Sequence, residues 1–193
     1  MRTIKLTEET RKDLLEKLLK RSPNCYGEYE GRVTEIVNTV RAEGDKALFD
    51  YTERFDRAKI TVENIRVTED EIKTAYEEVD PELLSVIRKA LVNIRSYHEK
   101  QLKQSWFESQ PSGIILGQKV QALATVGVYV PGGKAVYPSS VLMNIVPAKV
   151  AGVEKIIMCT PCSPEGKVCA STLVAAREAG VDEIYKAGGA QAI

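Results

Sequence analysis

At 193 residues with 44% apolar content, the chain is long enough for one large domain or two small ones around a buried core. Its 27 basic residues balance 27 acidic ones, which leaves no global field to draw in nucleic acid or an anionic membrane and favours a small polar ligand as partner. No apolar run approaches the roughly 20 residues of a membrane helix, the first residues lack a signal peptide's apolar stretch, and Cys25, Cys159, Cys162 and Cys169 are too few for a disulfide scaffold. A cytoplasmic protein with free thiols is expected.

Leucines at 14, 15, 18 and 19 form an apolar stripe at helical spacing, with Thr7 placed to cap and Glu8 and Glu9 in the first turn. A second helix carries Val33, Ile36, Val37 and Val40, and Gly44-Asp45 ends it and caps a third with a buried face of Ala47, Leu48, Tyr51 and Phe55. Ile60, Val62, Ile65 and Val67 read as a short strand interrupted by Glu63-Asn64. Thr68-Glu-Asp-Glu71 is a capping box that opens a brief helix. Asp80 and Pro81, as cap and first helical residue, start the longest helix, which runs through Leu84, Ile87, Leu91 and Ile94 to about His98. From Ser105 to Thr125 the pattern becomes extended, and a hairpin is expected with Ile114–Leu116 and Val120–Ala124 as strands around a Gly117-Gln-Lys119 turn.

The remainder alternates. Val126–Val130, Ile156–Thr160 and Glu183–Ala187 are apolar runs separated by helical segments, which is how a parallel sheet with crossover helices is written, and strands of this kind are buried on both faces. The first crossover helix is expected to be capped by Ser139 or Ser140 and to hold Val141, Leu142, Ile145 and Val150. Pro147 lies inside it and Gly152 ends it. The second is expected from Ser163-Pro164 to Gly180, with Val168, Leu173, Val174 and Ala176 buried. The fold class is therefore α/β: an α-rich region with short strands and a hairpin over 1–130, then the start of a Rossmann-like parallel βαβαβ unit over 131–193. Because the pattern stops on a turn, that unit is expected to be incomplete at its carboxyl end.

In such sheets ligands sit beyond the carboxyl ends of the strands, so the candidate site is the set of turns Pro131-Gly132-Gly133, Pro161-Cys162-Ser163-Pro164 and Gly188-Gly189-Ala190-Gln191. The first permits close approach of a nucleotide, but it is neither GxGxxG nor GxxxxGK[ST], and a plain strand-to-helix turn competes. Lys134 reads as solvated. Tyr129 stands where a ring can cover a flat cofactor and its hydroxyl can bond a ribose or phosphate; a buried sheet tyrosine is the alternative. Gln191 is expected to project from the first turn of a helix toward the same edge as Tyr129.

Cys159-Thr-Pro-Cys162 has the CxxC spacing of redox and zinc sites, yet a structural zinc needs four ligands and the second pair is missing. His98, the only histidine, reads as a packed or hydrogen-bonded residue on the long helix. With one histidine, neither a His-His metal pair nor an HExxH helix exists within the chain, so metal and catalytic assignments are none.

Val126-Gly-Val-Tyr-Val-Pro-Gly-Gly133, Tyr137-Pro-Ser-Ser-Val-Leu-Met-Asn144 and Gly188-Gly-Ala-Gln-Ala-Ile193 together closely resemble histidinol dehydrogenases. Arg41-Ala-Glu-Gly-Asp-Lys-Ala-Leu48, Phe55-Asp56 and Asn93-Ile-Arg-Ser-Tyr-His98 are similar to that family's amino-terminal half in the same order. The resemblance implies a zinc-dependent, homodimeric, cytoplasmic oxidoreductase of histidine biosynthesis that oxidises L-histidinol to L-histidine through an aldehyde in two NAD-dependent steps. It also implies that Tyr129 and Gln191 contact NAD. The family is more than twice this long, and its zinc ligands, its catalytic Glu-His pair and an NAD-contacting Asn fall beyond Ile193, so an amino-terminal fragment holding part of the cofactor site is expected. A non-catalytic short paralogue that binds a nucleotide or oligomerises is the alternative, and a thiol-redox protein using Cys159 and Cys162 is a second.

Overall fold

The computed structural model describes residues 5, 7–19, 27–132 and 136–193, without the side chains of residues 13, 15–19 and 28. Cys25, Gly133, Lys134 and the leucine side chains at 15, 18 and 19 lie outside the described residues.

Helix α1 (Glu8–Leu19) opens on Thr7, whose Oγ1 accepts the Thr10 N–H at 3.2 Å. Helices α2 (Gly27–Glu43) and α3 (Asp45–Asp56) follow, joined through Gly44 at φ 60°. Asp45 does not cap α3 but lies inside its first turn, because Gly44 takes the cap position and has no side chain to offer. Ala47 and Tyr51 are buried as expected, whereas Phe55 is exposed and Thr52 is buried in its place, its hydroxyl donating to the Leu48 carbonyl.

Residues 60–67 form no strand. Asn64 Oδ1 accepts from the Thr61 N–H at 2.7 Å and Ile65 N–H donates to Thr61 O, which curls the segment into a turn. Only Arg66 then makes an isolated antiparallel bridge, to Tyr185. Helix α4 (Glu69–Glu78) carries the complete capping box of Thr68 and Glu71, and α5 (Pro81–Glu99) starts with Asp80 accepting from Glu82 N–H and Pro81 at the first helical position.

A hairpin is present, one strand earlier than its spacing suggested. Strands β1 (Trp106–Ser109) and β2 (Ile115–Gln118) pair antiparallel around Pro111-Ser112-Gly113, where Gly113 adopts φ 84°. That proline-to-glycine turn outweighs Gly117, which instead lies within β2 with the Trp106 carbonyl and Phe107 packed where a Cβ would stand. Both hairpin strands are exposed throughout.

Strands β3 (Thr125–Tyr129), β4 (Lys155–Thr160) and β5 (Glu183–Lys186) form a parallel sheet in that order, linked by α6 (Pro138–Val150) and α7 (Ala170–Ala179). Helix α6 has Pro138 at its start and Tyr137 as cap residue, so Ser139 and Ser140 fall inside its first turn and do not cap it. Helix α7 begins later than Ser163-Pro164, because Ser163 N–H donates to Lys167 O and Gly166 turns at φ 73°, closing a separate loop first. Gly152 and Gly180, at φ 87° and 90°, end the two helices as their positions indicated.

The α/β class thus holds. Helices α6 and α7 pack together, α5 lies on α6 and α4 on α7. One apolar cluster joins Val67, Ile72, Ala75 and Ile87 to Val130, Ile156, Met158 and Ile184, and so runs across position 130. On β4, Ile156, Met158 and Thr160 are buried while Ile157 and Cys159 are half-buried. The sheet is therefore fully covered on one face only. Helices α2 and α3 pack on a 3-10 turn, Ala190–Ala192, that follows β5.

Candidate functional site

The parallel register brings Tyr129, Cys159 and Tyr185 into line, and beyond them the three turns converge at the carboxyl edge. Pro161 is their centre. A Cβ on Gly132 would stand 2.8 Å from Pro161 Cγ, and one on Gly188 would stand 2.6 Å from Pro161 Cβ. Glycine is required at both positions for the turns to close over the proline ring, whatever ligand follows. Gly189, at φ 66° and ψ −169°, takes a conformation open to glycine alone, and a Cβ there would meet Gln191 Oε1 at 2.6 Å.

Tyr129 is half-buried, and its hydroxyl accepts the Gly189 N–H at 3.0 Å. Its ring lines a cavity of about 860 Å³ shared with Asp56, Gly132, Thr160, Cys162 and Gly189. Gln191 is 5% exposed, and neither of its amide atoms has a hydrogen-bond partner among the described residues. It lines a second cavity, of about 260 Å³, with Phe49, Ile65, Cys159 and Tyr185. The structure therefore couples Tyr129 to the Gly188-Gly189 turn, while Gln191 borders the adjoining cavity with its amide buried, on a 3-10 turn in place of the expected helix. A buried amide with four unmet hydrogen-bonding positions is costly.

The CxxC thiols separate in the same way, Cys159 to the smaller cavity and Cys162 to the larger. Burial pushes both up from the ordinary thiol range, and for Cys162 the Asp56 carboxylate adds to it. Such cysteines are protonated and weakly nucleophilic, the opposite of a redox-active pair. His98 is half-buried, with Nδ1 2.7 Å from Gln101 Oε1 and its ring edge-on to Tyr97, in keeping with a structural residue. Among the described residues, no three His, Cys, Asp or Glu side chains gather as a metal site would need, so these residues do not fit zinc.

Asp56 escaped the sequence reading as a site residue. An aspartate closing a helix before Arg57 looks like solvated surface, and only the left-handed turn at Arg57, φ 60°, reveals that the chain folds inward there. Its Oδ2 is buried with no partner among the described residues, and burial pushes its carboxyl above the usual range.

The histidinol dehydrogenase family model matches residues 19–193. This chain belongs to the histidinol dehydrogenase family. It is 56% identical over 162 residues to the histidinol dehydrogenase of Heliobacterium mobile, an alignment that covers 84% of this chain and 38% of that protein. The Bacillus subtilis (strain 168) histidinol dehydrogenase is 51% identical over 176 residues, covering 91% of this chain and 41% of the relative. The crystal structure of histidinol dehydrogenase from Elizabethkingia anophelis superposes with a TM-score of 0.78 at 36% identity, over 84% of this chain and 37% of that one. The chain thus spans less than half the length of the histidinol dehydrogenases it matches. Among its described residues, no helix is long and apolar enough to cross a membrane.

Proposed function

We propose that this chain is the amino-terminal part of a histidinol dehydrogenase, an oxidoreductase of histidine biosynthesis, and that it supplies one wall of the NAD site. The observation that carries the reading is the cavity at the carboxyl ends of β3, β4 and β5. Tyr129 lines it, and beside it lies the buried, unpartnered amide of Gln191. The donor set fits a dinucleotide: an aromatic face, a hydroxyl, glycine turns that expose backbone, and an amide able to donate and accept.

When bound, NAD accepts hydride in each of the two oxidations that turn L-histidinol into L-histidine by way of an aldehyde. The residues of this chain bind and orient. The Tyr129 ring gives the cofactor a flat apolar surface, and its hydroxyl, held by the Gly189 amide, keeps one lone pair for a ligand hydroxyl. The Gln191 amide recognises a carboxamide or hydroxyl by paired donation and acceptance. Proton transfer and zinc binding are assigned to residues beyond those of this chain, in a cytoplasmic homodimer.

The test is a pair of measurements. Titration calorimetry of the 193-residue chain with NAD is expected to give saturable binding, and an assay at 340 nm with L-histidinol, NAD and zinc is expected to give no NADH. A longer protein that continues this sequence is expected to yield NADH in the same assay. Its silence with zinc present would defeat the reading, as would turnover by the 193-residue chain alone.

A further inference from the structure

The segment 57–66 lies along the edge of β5 that β4 does not use, with the Lys186 N–H donating to Ile65 O at 2.8 Å and Arg66 bridging Tyr185. Where it meets the loop after β4, with Ile60 Cδ1 3.8 Å from the place of a Gly166 Cβ, a cavity of about 600 Å³ opens. This cavity adjoins that of Tyr129 along Pro164 and Lys167, but neither Tyr129, Gln191 nor the turns at Gly132 and Gly189 enter its walls. Both walls are fixed by their own hydrogen bonds. Asn64 Oδ1 accepts the Thr61 N–H at 2.7 Å while its Nδ2 donates to Lys59 O at 3.1 Å, and Ser163 N–H donates to Lys167 O at 2.8 Å. A ligand therefore meets a preorganised space.

Among the described residues, the charged groups lining it are Arg57, Lys59, Lys167 and Lys186 against Glu71 and Glu165. Both carboxylates are already engaged. Glu71 gives one oxygen to Lys186 and the other to the Thr68 N–H, and the Ser163 hydroxyl holds Glu165 below the ordinary carboxylate range. The ion pairs of this region, Arg66–Glu183 and Lys186–Glu71, include none of Arg57, Lys59 and Lys167.

Lys186 is the anchor. It is 5% exposed, and Glu71 Oε1 satisfies one of the three donors of its ammonium. A desolvated cation with donors to spare is where a further anionic oxygen gains most. Arg57 adds a second sign. At φ 60° it is the one non-glycine residue with left-handed backbone among the described residues, at a position where glycine would sit without cost. Arginine there carries a strain that a plain turn would shed.

We propose that this cavity binds the phosphate group of a small phosphate monoester, at a place separate from the NAD cavity. Cations arriving on three different segments surround the space from several directions. That arrangement suits a tetrahedral group with three acceptor oxygens and nearly two negative charges better than a planar carboxylate.

The experiment is calorimetric titration of the 193-residue chain with glycerol phosphate, inorganic phosphate and acetate at constant ionic strength, with and without NAD. One glycerol phosphate is expected to bind per chain, about tenfold or more tightly than acetate, at least as tightly as inorganic phosphate, and equally well with NAD present. Lys186→Met and Arg57→Gly are each expected to weaken it about tenfold or more, the scale of a lost charge-assisted hydrogen bond. Arg57→Gly is also expected to melt no lower than the unaltered chain, because it relieves the left-handed residue, so its loss of binding is not a loss of fold. Binding of inorganic phosphate with exclusion of the ester would overturn the monoester assignment. Displacement of the ester by NAD would overturn the separate site while leaving the cofactor reading standing. Absence of saturable phosphate binding, or unchanged affinity in both folded variants, would overturn the proposal altogether.

Discussion

The hydroxyl of Tyr129 accepts the Gly189 N–H at 3.0 Å, so the ends of β3 and β5 are tied to each other across the intervening β4. One side chain thereby fixes the geometry of two of the three turns around the cavity. Tyr129→Phe removes only the hydrogen bond and is expected to lower stability by about 1 kcal/mol, while Tyr129→Ala also removes the ring and is expected to weaken NAD binding by about 1 to 3 kcal/mol. Urea denaturation read beside NAD titration separates the effects. If the two variants bound NAD as well as the unaltered chain, Tyr129 would be a sheet tyrosine and nothing more.

Gly189 and Gly127 make a controlled contrast. At Gly189 the backbone is in a region closed to other residues, and an added Cβ would collide with the Gln191 amide, so Gly189→Ala is expected to cost about 1 to 3 kcal/mol and to displace Gln191. Gly127 lies in β3 with nothing within 4 Å of the added atom. Gly127→Ala is expected to be neutral or to stabilise by up to about 1 kcal/mol, since it restricts the unfolded chain alone. Equal midpoints for the two variants in urea would show that the Gly189 turn is not constrained as described.

What the sequence made legible was what local chemistry decides. The capping box at Thr68 and Glu71, the Asp80-Pro81 helix start and the glycine ends at Gly152 and Gly180 all stand as their residue types dictate. So does the parallel pairing of the sheet, because apolar runs separated by helices are joined by crossovers. The failures arose where two local signals competed. Gly117 drew the hairpin turn away from Pro111-Ser112-Gly113, and the alternation of Ile60 to Val67 hid the Asn64 side-chain bond that curls the segment. Asp56 and the separation of Gln191 from the Tyr129 cavity were out of reach, because both depend on where α3 and the 3-10 turn after β5 come together, a long-range fact with no periodicity of its own.

Glu178 joins three helices and gives stability two pH limits. Its carboxylate accepts Arg88 Nε and Nη2, each at 2.9 Å, and the Tyr76 hydroxyl at 2.8 Å, so α7 is clamped to α5 and α4. The Arg88 guanidinium holds Glu178 below its ordinary value of 4.5, so the associated stability is present above that pH and is lost as pH falls below it. Burial, and then the bond to Glu178, push Tyr76 from 10.0 up to about 12. A tyrosine raised in the folded state stabilises fully below pH 10 and progressively less as pH climbs toward 12, because the unfolded chain releases its proton first. Tyr76→Phe is therefore expected to flatten the alkaline limb of a melting-temperature profile, and Glu178→Ala to cost about 2 kcal/mol at neutral pH and to flatten both limbs. Profiles parallel to that of the unaltered protein would remove the clamp from the account.

A helix cap holds a buried cation. Lys186 on β5 is 5% exposed, and its ammonium rests on Glu71 Oε1 at 2.6 Å. Glu71 Oε2 meanwhile accepts the Thr68 N–H at 2.9 Å, so one carboxylate both caps α4 and neutralises the lysine. Removing either partner is not equivalent. Lys186→Met takes the desolvated charge away and leaves the cap intact, and its cost is expected to stay below about 1 kcal/mol, because the Glu71 carboxylate left behind is partly exposed and keeps its bond to the Thr68 N–H. Glu71→Ala opens the cap and strands the ammonium, and is expected to cost about 2 to 4 kcal/mol. In the Lys186→Met background, Glu71→Ala is expected to fall to the cost of the cap alone, about 1 kcal/mol. Chemical denaturation of the two single variants and the double variant closes the cycle. Additive costs would show that the two roles of Glu71 are independent of Lys186.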